Sequence, residues 1–278
     1  MAPGAEPDEL LVRTRGALLD ALDALAAHAG SVVVVGAQAV LLVAGTVSVA
    51  IAMTTKDSDV TIDPRTLHDA PLLEDAMRRG GFVRSTEPGQ WLSREGIPVD
   101  LMVPGSLTAH PGRRGARIPP HGKDAARTTR GLEAALVDNR PMDVAALDAR
   151  DPRVHRALVA GPAALVVAKT LKIDERLGGP PHRVADKDAH DVYRVLVAIE
   201  TAELVDGFGR LLADPVSVDV TREALEHLRS HFAAGPTAEG PMMAGRAEAD
   251  VGDPDVVATS TAILAADLLH ELDRAHLS

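Results

Sequence analysis

The chain has 278 residues, of which 46% are hydrophobic, so it is long enough for one large domain or two small ones with a substantial core. Its 29 Lys and Arg residues stand against 40 Asp and Glu residues, and the net charge of −11 argues against broad nucleic-acid affinity outside a local basic patch. The absence of cysteine excludes disulfides and thiolate metal sites, and an aromatic content of 2% argues against a stacking platform for single-stranded bases.

The N-terminal region contains one long uncharged run and no secretory signal pattern, so we expect a cytoplasmic protein. Residues 31–53 are uncharged and long enough to cross a bilayer. They begin with four valines, break at Gly36, continue with helical spacing, break again at Gly45 and then alternate. Because the glycines fall where the period changes, the run predicts strand, turn, buried helix and strand, and no membrane contact.

The rest of the N-terminal half alternates between helical and extended patterns. In chain order these are an amphipathic helix over 8–29, a helix over 65–81, and strands at 82–85, 90–93 and 97–103. Residues 104–130 are rich in Gly, Pro and Arg without a clear period, which predicts a long loop. The segment is either a solvated linker or a patch that binds phosphates. Its cations are Arg113, Arg114, Arg117, Lys123, Arg127 and Arg130.

The C-terminal half has mainly helical patterns after a last strand signal at 142–147. A helix opens at Gly161-Pro162, and further helices are predicted at 186–200, 221–233 and 257–276. We therefore expect an α+β protein whose N-terminal part is α/β-like, with a small mixed sheet and flanking helices. The expected division is a domain at 1–135 and a mainly helical domain at 136–278.

Three aspartates lie in the segment TTKDSDVTID, residues 54–63. Because alternate residues of a strand share a face, Asp57 and Asp59 are expected to point to the same side of a strand. Neighbouring carboxylates repel unless a cation lies between them, and Mg²⁺ binds carboxylate and phosphate oxygens together. The pattern alone is more typical of a solvated edge strand. Asp63 precedes Pro64 and is predicted to close the strand and start a turn.

Asp100 is the only charged residue between Ile97 and Pro104. An ionised carboxylate in a buried strand is costly, so this position predicts either a partner cation or a cage of hydrogen bonds. The alternative is an edge strand, favoured by Pro98, that leaves Asp100 in water.

Two further features suit phosphate binding. Gly36-Ala37 lies between a strand and a helix, where backbone N–H groups are free to bind phosphate, although no Walker-type motif is present. In the helical half, Lys169 lies at the end of an apolar stretch and begins a basic stripe that Lys172 and Arg176 continue. In the next helix Asp188 and Asp191 share a face. An ordinary surface ladder is the alternative there, formed by Lys187, Asp191 and Arg194.

The order of these segments resembles the minimal nucleotidyltransferases of the AbiEii and MenT toxin type, distant relatives of the DNA polymerase β superfamily. The segments are VVVVGAQAVLLVAG, TTKDSDVTID, PVDLMV, PAALVVAKTLKIDER and DKDAHDVYRVL. The resemblance spans roughly residues 31–197, and its specificity comes from order and spacing, since each motif is short. It implies a nucleotidyltransferase-like N-terminal half and a C-terminal half that completes the active site.

The resemblance also implies individual roles. The metal ligands would be Asp57, Asp59 and Asp100. Lys169 would bind phosphate, and Asp188 and Asp191 would form the acidic pair of the last motif. The nucleotide-binding residues would be Gly36, Ala37, Lys56, Lys172 and Arg176. With Mg²⁺ or Mn²⁺, such an enzyme would move an NMP from a nucleoside triphosphate to an acceptor hydroxyl, with a tRNA end as acceptor and a cognate antitoxin as partner. The sequence departs from the family pattern at three places. Ala37 stands where the superfamily often has Ser, Met53 stands where Arg is frequent, and Asp100 follows Pro98 closely.

Other functions remain open at the level of sequence. The same chemistry fits a small acceptor of the aminoglycoside type, which would suit the negative net charge. The departures at Ala37 and Met53 fit a degenerate or non-catalytic binding protein. His190-Asp191, with His155 or His182 upstream, is typical of metal-dependent phosphohydrolases of the HD type, but that reading leaves the strand aspartates unexplained.

Overall fold

The computed structural model describes residues 9–45, 55–108, 114–180, 185–249 and 251–277, and the chain forms two compact units. The first unit contains 1–39, 53–132 and 139–160, and the second contains 40–52, 133–138 and 161–278. This division does not coincide with the expected boundary after residue 135, because 139–160 belong to the first unit. The strand expected at 46–52, together with Met53, Arg113 and His182, lies outside the described residues.

The first unit is built on a mixed sheet. Its elements are α1 (Glu9–Ala24), β1 (Val32–Val35), the start of α2 (Gly36–Ala44), β2 (Ser58–Ile62), α3 (Leu73–Arg79), β3 (Val83–Arg84), β4 (Gln90–Leu92), β5 (Pro98–Pro104), β6 (Arg127–Thr129), β7 (Asn139–Ala145) and β8 (Val154–Ala160). The described strands join in the order β3-β4-β5-β2-β1-β8-β7, with β6 paired to β5. The β1–β8, β2–β5 and β5–β6 pairs are parallel, and the others are antiparallel.

The core of the first unit forms around β1 and β2. All four valines of β1 are at most 2% exposed, as expected for a strand with neighbours on both sides and cover on both faces. Leu18 and Leu19 of α1 are fully buried, and the Trp91 indole donates a hydrogen bond to the Ala125 carbonyl oxygen at 2.9 Å. Helix α1 contacts both β2 and β5, the two strands that carry the candidate site.

Two predictions of secondary structure in this unit were wrong. The helix expected over 65–81 is only α3, because the residue before Pro71 is disfavoured in a helical conformation and the preceding residues form turns. The segment 104–130 is not a structureless loop, since it contributes β6. No sequence pattern predicted β8, which pairs in parallel with β1 and antiparallel with β7.

The second unit is mainly helical, as the sequence predicted. Besides the end of α2 it contains α4 (Pro162–Leu177), α5 (Asp186–Ala198), α6 (Thr201–Ala213), α7 (Val218–His231), α8 (Glu239–Glu248) and α9 (Pro254–Arg274). Helix α4 begins with a proline in its first turn, where the missing N–H costs nothing. Leu165, Ile173, Phe208 and Phe232 are almost fully buried in its core.

The expected α+β class with a mixed sheet is confirmed. Of the 23 uncharged residues at 31–53, residues 32–44 form β1 and α2. Among the helices that the structure describes, none combines the length and the apolar character that a membrane span requires.

Candidate functional site

The turn between β1 and α2 brings a backbone glycine against the carboxylate of Asp59. Gly36 has a φ of +67°, and a Cβ atom added there would lie 2.2 Å from Asp59 Oδ2. Both the left-handed backbone and this close approach require glycine. Val35 pairs with Asp59 in the β1–β2 ladder, so the carboxylate lies where β1 ends and α2 begins. The glycine turn and one of the expected metal ligands are therefore neighbours.

Strand β5 places a second carboxylate beside Asp59. The parallel register pairs Asp59 with Asp100, and residues paired in this way share a face of the sheet with a strand spacing of about 4.8 Å. Asp100 is 8% exposed, and β5 lies between β4 and β2. The alternative of a solvated edge strand at Asp100 was therefore wrong.

The two oxygens of Asp100 have different surroundings. Oδ2 accepts a hydrogen bond from Arg127 Nη2 at 2.9 Å, across the β5–β6 pair. Oδ1 is buried and has no hydrogen-bond partner among the residues that the structure describes. An unsatisfied buried carboxylate oxygen is unfavourable, so this atom is suited to receive a cation or a donor from a bound molecule.

The other aspartates of this segment differ in their contacts. Asp57 lies just before β2 and is half-buried, while Lys56 is exposed. Thr55 Oγ1 donates to the backbone oxygen of Asp57 at 3.0 Å and lies 3.3 Å from Oδ1. At the far end of β2, Asp63 accepts hydrogen bonds from the backbone and the guanidinium of Arg65 at 2.7 to 2.9 Å. Asp63 thus closes a turn, as the sequence predicted.

The donor chemistry of this strand edge fits a hard divalent cation. Among the described residues, the three carboxylates of Asp57, Asp59 and Asp100 do not place one oxygen each within 4.8 Å of one another. Mg²⁺ does not require such a cage, since it is typically bound by one or two carboxylates together with phosphate oxygens and water. The register pair with its unpartnered oxygen is therefore the part of the expected site that the structure assembles.

A second cluster of charges joins α4 to α5 within the helical unit. Lys169 Nζ lies 2.8 Å from Asp188 Oδ1 and 2.6 Å from Asp191 Oδ2. Lys172 Nζ lies 3.4 Å from Asp188 Oδ1, and Arg176 forms an ion pair with the other oxygen of the same carboxylate. The basic stripe of α4 therefore converges on the acidic pair of α5.

Charge pairing dominates the protonation of this cluster. Burial alone would lower the pKa of Lys169, but the carboxylates of Asp191 and Asp188 outweigh it and raise that pKa. Burial alone would raise the pKa of Asp188, but Lys169, Lys172 and Arg176 hold it well below its usual range. Both groups are therefore ionised at neutral pH.

The contacts assign Lys169 to the interior and leave other cations nearer to solvent. Its side chain is 7% exposed, whereas those of Lys172 and Arg176 are 42% and 23% exposed. The Asp191–Arg194 pair of the ladder considered for α5 is present at 4.0 Å, but it is buried and not on the surface, since Asp191 also pairs with Lys169 and Arg194 is only 3% exposed. Arg194 also donates to the Gly45 carbonyl oxygen at 3.4 Å.

Two histidines of the HD hypothesis, His190 and His155, lie among the described residues and have other partners. His190 Nε2 is 2.5 Å from Glu248 Oε2 on α8, and its ring packs edge-on against Tyr193. His155 belongs to the first unit, where it lies 3.2 Å from Asp23. Within the described residues, neither histidine joins Asp191 in a group of metal-ligating atoms.

Two basic residues of the segment 114–130, Arg114 and Arg127, form ion pairs. Besides the bond from Arg127 to Asp100, Arg114 lies 3.0 Å from Glu87. Asp124 of the same segment pairs with Arg84 at 3.0 Å. The segment is therefore a folded edge of the first unit, and its positive charge is partly neutralised.

Comparisons with known proteins give little support beyond this geometry. No protein-family model matches the chain, and no curated protein matches it. A crystal structure from H. pylori, of a protein provisionally assigned as a nucleotidyltransferase, is similar with a TM-score of 0.31 and 10% identity, over 96% of this chain and 98% of that one. A structural likeness this low carries no weight for the fold or the function of this chain.

Proposed function

We propose that this protein is a Mg²⁺-dependent nucleotidyltransferase that moves an NMP group from a nucleoside triphosphate to an acceptor hydroxyl. The observation that carries the proposal is the pairing of Asp59 with Asp100, in which Asp59 packs on Gly36 and one oxygen of Asp100 is buried without a partner. Two carboxylates on one face favour a bound cation, and the nearby helix start favours an anion. A metal–triphosphate complex supplies both charges.

In this proposal the strand edge binds the metal and the glycine turn binds phosphate. Asp57, Asp59 and Asp100 would hold Mg²⁺, or Mn²⁺ in its place. A divalent ion held by these residues would supply positive charge to offset the negative charge that develops when the α-phosphorus is attacked. The absence of a side chain at Gly36 lets a phosphate approach the backbone N–H groups of Gly36 and Ala37. Ala37 contributes no hydroxyl contact.

Asp100 has two tasks that its geometry separates. Arg127 donates a hydrogen bond to Oδ2 and offsets part of the negative charge of this buried carboxylate. Oδ1 is left to contact the metal or to accept the proton of the attacking hydroxyl.

The cluster in the helical unit supports a separate part of the proposal. Lys172 and Arg176 are the cations of α4 with the most exposed side chains in this group, and we assign phosphate binding to them. Asp188 lies against both and orients them, while Lys169 neutralises the buried acidic pair. Lys169 therefore acts as a positioning residue in this proposal, and the direct phosphate contact that the resemblance implied for it moves to its neighbours.

For the acceptor, we propose an RNA end, with tRNA as the first candidate and a cognate antitoxin as the partner that the resemblance implies. The net charge of −11 and the ion pairs of Arg114 and Arg127 favour a contact limited to a few nucleotides. A small polyhydroxylated acceptor of the antibiotic type is the alternative, and the assay separates the two.

The test uses the purified chain with Mg²⁺ and each nucleoside triphosphate, labelled at the α or the γ phosphate. Bulk tRNA, a panel of aminoglycosides and no acceptor form three arms, each run in parallel with Asp57→Ala. The proposal expects α label on one acceptor, at least ~100-fold less of it in the variant, and pyrophosphate as the other product. Transfer of γ label or release of free phosphate would indicate kinase or hydrolase chemistry. Absence of turnover in every arm, with nucleotide still bound, would indicate a non-catalytic binding protein.

A further inference from the structure

Helices α4 and α7 bring together three side chains that sequence reasoning did not connect. Asp174 lies on α4, and His227 and His231 lie one turn apart on α7. Asp174 Oδ1 is 3.2 Å from His227 Nδ1 and 3.0 Å from His231 Nε2. All three residues belong to the helical unit, and none is used by the proposed function.

The spacing of these atoms suits coordination of one ion. One ligand atom from each residue lies within 4.8 Å of the other two, and in the described part of the chain no other group of three meets this condition. Ligands about 2.0–2.1 Å from a tetrahedral Zn²⁺ lie about 3.3–3.4 Å from each other. The two measured N···O distances, 3.0 and 3.2 Å, are already close to that value.

We propose that Asp174, His227 and His231 form a binding site for a divalent transition metal, with Zn²⁺ as the reference ion. Two imidazoles and one carboxylate suit Zn²⁺, Co²⁺ or Ni²⁺ and disfavour Mg²⁺ and Ca²⁺, which prefer oxygen ligands alone. Histidines four residues apart on a helix face the same side, so both rings reach one ion without a change of backbone. Three protein ligands leave one position for water.

The surroundings of the three residues support this assignment. Their side chains are between 23% and 39% exposed, so a metal ion reaches them from solution without unfolding of the helices. Glu223 lies one turn before His227, and its Oε1 is 3.6 Å from His227 Nε2, the ring nitrogen that does not face Asp174. Metal-bound histidines typically direct their second nitrogen to such a carboxylate.

The position of the site suggests what the metal does. Asp174 lies on the same helix as the basic stripe, between Lys172 and Arg176, whereas both histidines belong to α7. A shared ion therefore links the C-terminal half of α4 to α7 and holds the stripe in place. The site requires no nucleotide and no acceptor, so its test is independent of the proposed function.

The experiment measures Zn²⁺ binding to the full chain, without any affinity tag, by equilibrium dialysis at micromolar free Zn²⁺. Wild type is compared with His227→Gln, His231→Gln and Asp174→Asn, and the exposed His270 on α9 supplies the control His270→Gln. We expect one equivalent of Zn²⁺ in wild type and in the control, and at least ~10-fold weaker binding in each of the three site variants. Zn²⁺ should also raise the melting temperature of wild type and of His270→Gln but not of the site variants.

Two further measurements keep the result decisive. Circular dichroism without metal checks that the variants fold, and ¹H–¹⁵N spectra of the wild-type imidazoles show directly whether Zn²⁺ shifts the ring signals of His227 and His231. Zn²⁺ binding that survives in both histidine variants would overturn the proposal, and so would the absence of stoichiometric binding to wild type. Loss of the Zn²⁺ in Asp59→Asn with retention in His227→Gln would place the ion at the strand edge and would equally overturn it.

Discussion

Replacement of Gly36 by alanine tests the contact between the glycine turn and the carboxylate of Asp59. The new Cβ atom would lie 2.2 Å from Asp59 Oδ2 and 2.9 Å from Asp59 Cβ and Cγ. Ordinary non-bonded carbon–oxygen separations are above about 3 Å, so the carboxylate has to move by roughly 1 Å or the turn has to open. Either change displaces a proposed metal ligand.

The loss of stability expected for Gly36→Ala has two causes, the strained backbone and the contact with Asp59. Alanine at a φ of +67° costs about 1–2 kcal/mol because its Cβ crowds the following carbonyl oxygen. Gly96→Ala is a matched control, since Gly96 has a φ of +75° in the same unit but its Cβ would meet no atom within 4 Å. The difference between the two variants therefore isolates the contact with Asp59.

Urea denaturation and α-phosphate transfer measure the two effects. Both variants are expected to lose about 1–2 kcal/mol in the free energy of unfolding through the backbone, and Gly36→Ala somewhat more. Only Gly36→Ala should lose activity, by about 100-fold, the usual effect of a 1 Å misplacement in an active site. Wild-type activity in Gly36→Ala, or an equal loss in Gly96→Ala, would refute the assigned role of this contact.

Three other predictions concern stability and are checked by denaturant unfolding. Asp188→Asn should lower the free energy of unfolding by about 3–5 kcal/mol, because it removes the fully buried carboxylate that shares Lys169 with Asp191 and also pairs with Arg176. Lys172→Met should lower it by less than about 1 kcal/mol, because the Lys172 side chain is 42% exposed. The neighbouring cations hold the pKa of Asp188 far below its usual range despite burial, so its carboxylate stabilises the folded state above the pKa of an unfolded aspartate. The difference in free energy of unfolding between wild type and Asp188→Asn should therefore be largest above about pH 4 and should shrink as the pH falls further. A difference that stays constant between about pH 7 and pH 3 would contradict this. Arg127→Met should lower the free energy of unfolding by about 1–3 kcal/mol, because it removes the ion-pair partner of Asp100. The control Arg84→Met breaks an exposed ion pair and should lower it by less than about 1 kcal/mol.

The candidate site shows which features a sequence pattern can predict. The isolation of Asp100 in an apolar run predicted burial and the need for a partner, and the structure has both. The identity of the partner was not predictable, because Arg127 lies in a segment without period and reaches Asp100 only through the β5–β6 pair. The contact of Gly36 with Asp59 likewise depends on the β1–β2 register, which alternation alone does not specify.

The helical unit shows the same limit. Helical spacing placed Lys169 and Lys172 on one face of α4, but the surface ladder assumed local pairing along α5. Asp191 keeps a local contact with Arg194, but its shorter ion pair reaches across helices to Lys169, a tertiary contact that no i, i+4 rule contains. Asp174 was not connected with His227 for the same reason, since the two residues are more than fifty positions apart in the sequence.

The most direct test of the central claim compares Asp59→Asn with Asp63→Asn in the transfer of labelled α-phosphate. Both substitutions remove one carboxylate charge from the same short segment, but Asp59 lies on Gly36 and pairs with Asp100, whereas Asp63 closes a turn with Arg65. We expect Asp59→Asn to lose at least ~100-fold in Mg²⁺-dependent transfer and Asp63→Asn to retain it. Equal activity of the two variants, or loss in Asp63→Asn alone, would contradict a metal-dependent nucleotidyltransferase site at this strand edge.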